Sequence, residues 1–281
     1  MSKRTLLLLL AGLVMSQVFF PFCSEAQGNL LLTPRRIVFE GNRRSVDLNL
    51  ANVGRDTATY AISIIQIRMK EDGTFETITE PDAGQQFAGQ YMRFFPRSVT
   101  LGPNETQVVK IQLARASQLA PGEYRSHFYF RAIPEERPLG EEEATRDTTA
   151  ISVRLTPVFG ITIPAIIRIG ESTAKVTISD TSLEMVNDTI PHLMLVFNRT
   201  GNFSVYGDLA VDHISPQGTV TRVGAANGIA VYTPNTLRRF QFNLNKVQGI
   251  DLTSGKLKLI FSAPSDVKPE RYAEAELALH K

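Results

Sequence analysis

Four histidines, one cysteine and 28 acidic residues are the side chains of this 281-residue chain best suited to acid–base, nucleophilic or metal chemistry. His127, His192, His213 and His280 lie too far apart for an H-x-x-x-H pair on one helix face. Cys23 has no second cysteine with which to form C-x-x-C, and no G-x-S-x-G marks a nucleophile on a sharp turn. No carboxylate pair falls where a strand end would aim it rigidly. The sequence therefore predicts no catalytic centre, no metal site and no cofactor, which leaves its strands as the features to be read.

Composition is that of ordinary globular protein, with 43% hydrophobic and 21% charged residues, and the length allows two domains. A formal charge of +2 without a basic run gives no support to nucleic-acid binding. At the N-terminus, Lys3 and Arg4 precede the apolar run Leu6 to Phe20, and Ser24-Glu25-Ala26 offers small residues at a cleavage site. This pattern predicts a secretory signal removed after Ala26. A membrane anchor is the alternative, disfavoured because the apolar run is short and no second span follows. Lipoprotein processing at Cys23 is disfavoured too, because the residues before it fit a lipobox poorly. Cleavage would remove Lys3, Arg4, Cys23 and Glu25, leaving a near-neutral chain without disulfides that must rely on its hydrophobic core.

The elements follow from periodicity. Between Ala150 and Gly170 every odd position from Ile151 to Ile169 is apolar, which is the period of a strand. Arg154, Arg168, Pro157 and Pro164 argue against a membrane helix. Strands usually run about 3–10 residues, so this one is expected either to cross between two domains or to break at Pro157 or Pro164. Elsewhere Val46, Leu48 and Leu50 alternate with Asp47 and Asn49, as do Tyr124, Phe128 and Phe130 with polar neighbours. Asp72-Gly73 predicts a hairpin turn and Gly102-Pro103-Asn104 another. Glu135 to Thr148 form the most polar stretch and read as an exposed loop just before the long strand. With scarcely any helical period, the chain reads as all-β: two immunoglobulin-like β-sandwich domains in tandem. The expected boundaries are 1–26 for the signal, 27–169 for the first sandwich and 170–281 for the second.

Several segments in this order carry a resemblance. Arg35-Arg36-Ile37-Val38-Phe39-Glu40-Gly41, followed by Val46 to Asn52, resembles the first two strands of PapD-like periplasmic pilus chaperones. The segment Phe95-Pro96-Arg97-Ser98-Val99-Thr100-Leu101-Gly102-Pro103-Asn104 resembles that family's proline-led strand and tight turn. Glu123 to His127 and Phe130 to Pro134 resemble its next strand, with the loop and long alternating strand following. Asn198 to Asp208 and Gly228 to Pro234 resemble a divergent branch of the same family.

The resemblance implies a periplasmic, non-enzymatic chaperone for pilus, fimbrial or related surface-assembly subunits, with an outer-membrane assembly platform as a further partner. It implies that the chaperone lends its last first-domain strand to a subunit lacking one, through backbone hydrogen bonds and alternate apolar side chains. Ile151, Val153 and Leu155 fit that role, and Phe159 continues the same face. The bland alternative is that these side chains face their own core. The resemblance further implies a carboxylate anchor, for which Arg36 matches by its place before Ile-Val-Phe-Glu-Gly, with Arg35 beside it. The chain departs from the family where a second anchor, a lysine, is expected: Gly160-Ile161-Thr162-Ile163-Pro164 stands there, and no lysine occurs between Lys110 and Lys175. Arg168 is a candidate substitute. A structural or adhesive tandem sandwich at the cell surface is the alternative function.

Overall fold

The computed structural model describes residues 29–134, 158–187, 189–265 and 269–279. Eleven strands build the first sandwich and its hairpin: β1 (Leu30–Thr33), β2 (Ile37–Phe39), β3 (Ser45–Asn52), β4 (Ala58–Ile65), β5 (Ile67–Met69), β6 (Phe75–Thr77), β7 (Met92–Phe95), β8 (Ser98–Leu101), β9 (Thr106–Leu113), β10 (Gly122–Ile133) and β11 (Gly160–Ile169). One sheet runs β1-β3-β9-β7 and the facing sheet β2-β11-β10-β4-β8, with β5 and β6 forming a separate hairpin. The second sandwich uses β12 (Lys175–Val186), β13 (Ile190–Thr200), β14 (Val205–Ile214), β15 (Val220–Val231), β16 (Leu237–Asn243), β17 (Lys256–Ser262) and β18 (Arg271–Ala278). Its sheets are β12-β13-β16 and β15-β14-β17-β18. The architecture is two tandem immunoglobulin-like β-sandwiches.

Alternation explains both cores. In β3, Val46, Leu48 and Leu50 are buried while Asp47 and Asn49 are exposed, as a half-buried strand requires. Phe39, Phe128, Phe130 and Ile111 fill the first core, and Phe94 meets the Phe128 ring edge-on at 5.1 Å. Phe197, Leu209, Leu259 and Phe261 fill the second. Buried Asn52 ties the end of β3 to the next turn, its Nδ2 donating to the carbonyls of Asp56 and Leu101 at 2.7 and 3.0 Å.

Of the two expected break points, Pro164 interrupts nothing: β11 is continuous from Gly160 to Ile169 within the first sandwich and pairs with β10 along its length, while Pro157 lies outside the described residues. Pro164 is tolerated because its missing N–H lies on the side away from β10, next to the point where parallel pairing with β2 begins at Ala165. Ile163, Ala165 and Ile167 point into the first core.

The polar face of β10 departs from expectation. Glu123, Arg125 and His127 alternate with Tyr124 and Phe128 and suggest solvent exposure, yet they are 4%, 2% and 2% exposed. The second sandwich and the β5–β6 hairpin cover that face. A small apolar seam of Met69, Ile166, Ala230 and Tyr232, with Val38 and Tyr206 against it, joins the two sandwiches there.

Candidate functional site

Two features meet at this junction: an unpaired strand edge and a cationic cavity. On one side β11 pairs with β10, and on the other β2 pairs only with Ala165, Ile166 and Ile167. Among the described residues, Gly160 to Ile163 thus have no strand along their outer side. The Ala132 N–H donates to the Phe159 carbonyl at 2.9 Å, which fixes the phase of the antiparallel ladder. Residues 159, 161 and 163 bond toward β10, while the backbone groups of Gly160 and Thr162 face outward. Gly160 is required by crowding: a Cβ there would lie 2.2 Å from the Tyr129 ring on β10.

The cavity, about 240 Å³, opens beside this edge, with Thr162 and Pro164 in its wall. That is smaller than the ~300–1,000 Å³ of sites for drug-sized ligands, and suits a chain end or a small anion. Arg36 enters it from the bend that carries the chain from β1 in one sheet to β2 in the other. It lies on the same face of the chain as Val38, toward the second sandwich. Its guanidinium stands 4.5 Å from the centre of the Tyr206 ring and 5.7 Å from that of Tyr232, and its Nη1 is buried without a hydrogen-bond partner. Burial pushes its pKa down, opposed by Tyr232, as expected of a cation without a matched anion.

Other cationic and polar groups surround it. Arg125, 4.4 Å from the Tyr232 ring centre, reaches the Thr233 carbonyl at 3.3 Å, and its Nε has no partner. His127 lies in the cavity wall with Nδ1 unpartnered; burial and then the charges of Arg125 and Arg36 lower its pKa to about 3, so the ring is neutral. From the second sandwich come Tyr206, Tyr232 and Arg238, while Met69, Gly73 and Phe75 of the hairpin complete the wall. Among the described residues no Asp or Glu lines the cavity, and its charged groups are those that would receive an anion.

Of the residues singled out by sequence, Arg36 and Arg35 line the cavity, whereas Arg168 does not. Arg168, the candidate substitute anchor, is engaged by groups of the protein itself. Its Nε donates to Glu123 at 3.1 Å, Nη2 donates to the Ser204 carbonyl at 2.7 Å, and Nη1 lies 3.7 Å from Glu40. The fully buried Glu123 carboxylate also accepts from Ser204 N–H and Oγ at 3.0 and 2.7 Å, and from Thr233 Oγ1 at 3.2 Å. These contacts tie the two sandwiches together. Phe159 is 41% exposed at the head of β11. Ile151, Val153 and Leu155 lie outside the described residues. Arg125, His127 and Arg238 escaped sequence reading; the one local signal is an arginine beginning the alternation of Arg238, Phe240 and Phe242.

No protein-family model and no curated protein matches the chain. Among solved structures it is similar to the YadV chaperone, at 13% identity over 89% of this chain and 100% of that one, with a TM-score of 0.44. It is similar at 12% identity to the CsuC–CsuE chaperone–subunit pre-assembly complex of Csu pili from Acinetobacter baumannii, over 90% and 99% of the two chains, TM-score 0.44. The E. coli chaperone DraB matches at 12% identity over 89% and 96%, TM-score 0.42. A likeness this distant assigns no function, which has to come from the chain's own residues.

Proposed function

We propose that the protein is a non-enzymatic periplasmic chaperone that holds fimbrial, pilus or related surface-assembly subunits by strand addition until they are handed on, with an outer-membrane assembly platform as second partner. The observation that carries this reading is the outer edge of β11, unpaired among the described residues from Gly160 to Ile163 and running into the cavity that holds Arg36. A subunit strand laid on that edge gains backbone hydrogen bonds from Gly160 and Thr162, and its terminal carboxylate reaches Arg36. Phe159 at the head of β11, and Ile151, Val153 and Leu155 before it in the sequence, supply the apolar side chains for the subunit's groove. Each buried side chain contributes about 1.5–3 kcal/mol before ordering costs are subtracted. The sequence resemblance to PapD-like chaperones supports the same assignment, as does the predicted export signal.

The test is affinity capture from the native periplasm with wild-type and Val153→Asp proteins, read by mass spectrometry. The expected result is an exported sandwich subunit lacking one strand, recovered by the wild type and lost from the variant. Equal recovery by both, or recovery of no such subunit, overturns the reading.

A further inference from the structure

The first sandwich lines the cavity with Arg36 and Arg35, and β11 has no lysine to add to them. A further cation of the cavity wall comes from the other sandwich. Arg238, at the start of β16, lines the cavity, donates from Nη1 to the Ala230 carbonyl at 2.6 Å and has a buried Nε with no partner. It is held in place from across the junction. Gly73, at φ +84° in the β5–β6 turn, lies so close that a Cβ there would be 2.6 Å from Nη2 and 2.7 Å from Nε. The hairpin is itself fixed to the second sandwich, with Arg239 N–H donating to the Glu71 carbonyl at 2.7 Å and Asn235 Nδ2 donating to the Met69 carbonyl at 2.8 Å.

Two guanidinium groups line one small cavity, with no carboxylate in its wall among the described residues, and each keeps a buried nitrogen without a hydrogen-bond partner. A bound anion relieves both deficits at once. We propose that Arg238 is the second arm of a carboxylate receptor shared by the two sandwiches, Arg36 being the first. A planar carboxylate presents one oxygen to each arginine. Its binding ties the hairpin, β2 and β16 together, so the receptor exists only while the sandwiches keep this relative placement. The identity of the carboxylate as a subunit's terminus rests on the chaperone reading above; the receptor itself does not.

The experiment uses the full exported chain and sodium acetate at constant ionic strength, followed through the arginine side-chain ¹H–¹⁵Nε resonances. Arg36 and Arg238 are expected to shift together along one binding curve. Arg238→Gln is expected to weaken acetate binding, as seen at Arg36, by about tenfold or more. Gly73→Ala, which displaces the Arg238 guanidinium without removing charge, is expected to weaken it in the same direction. Amide spectra of both variants report whether the fold is kept, and Arg238→Lys restores part of the affinity if charge alone is lost. An Arg36 titration unchanged by Arg238→Gln overturns the proposal, as does tighter binding of inorganic phosphate than of acetate. Acetate bound by both arginines while periplasmic capture yields no subunit leaves this proposal standing and removes the chaperone reading; the converse result does the opposite.

Discussion

Arg36 and His127 share one cavity wall but answer to solvent differently. Arg36 keeps its charge at any physiological pH, so Arg36→Gln is expected to lower subunit affinity about tenfold or more while leaving the thermal midpoint unchanged or raised, because a buried unpaired cation is removed. His127 is neutral in the folded protein, with its pKa lowered to about 3, whereas the unfolded chain takes up a proton near 6.5. Between those values the unfolded state binds more protons, so this residue's contribution is complete above about pH 6.5 and is lost as pH falls toward 3. From pH 7 to pH 5 the loss is about 2 kcal/mol. Urea unfolding of wild type and His127→Gln at the two pH values checks it: the stability difference should shift by that amount in favour of the variant at pH 5.

At the scale of elements, β11 has two sides with different duties. Thr162→Pro removes an N–H that faces outward, so subunit capture is expected to fall while the thermal midpoint changes little. Ile161→Pro removes an N–H bonded toward β10 and is expected to cost about 3 kcal/mol in a denaturation curve. The reverse order of these two stability effects would show that the outer edge is not the free one. The alternation of β3, β11 and β17 is legible in sequence because one face of each strand meets a single core. The Asp72-Gly73 turn is legible for a similar local reason: Asp72 accepts from the Thr74 N–H and hydroxyl within the turn itself. The buried polar face of β10 is not legible, because what covers it lies 81 to 108 residues later, at Ser204, Tyr232 and Thr233. Arg238 is hidden likewise, since two arginines at a strand start read as a solvated face.

For the whole molecule, Glu123 ties the junction by accepting from Ser204, Thr233 and Arg168 beside the apolar seam. Glu123→Ala leaves the Arg168 guanidinium without its buried partner and frees the Ser204 and Thr233 donors. The expected cost is about 3 kcal/mol. Small-angle scattering should show a broadened distribution of separations between the sandwiches, and acetate affinity should fall although neither Arg36 nor Arg238 is changed. A variant that loses stability yet keeps both its scattering profile and its acetate affinity would show that the junction is fixed elsewhere. Sequence reading found Arg36 by its neighbours in the chain; a tie such as Glu123 to Ser204 leaves no local mark.

The three-residue pairing of β2 with β11 carries a last consequence. From Ala165 onward the edge is already occupied, so any strand arriving along Gly160 to Ile163 meets a wall made of the chain's own N-terminal segment. A polypeptide passing through would collide with β2, whereas one that stops there delivers its end group to the arginines. On the proposed reading the edge therefore works as a gauge for finished chains: it measures where a partner ends, and it turns away the interior of a longer strand even when the side chains match.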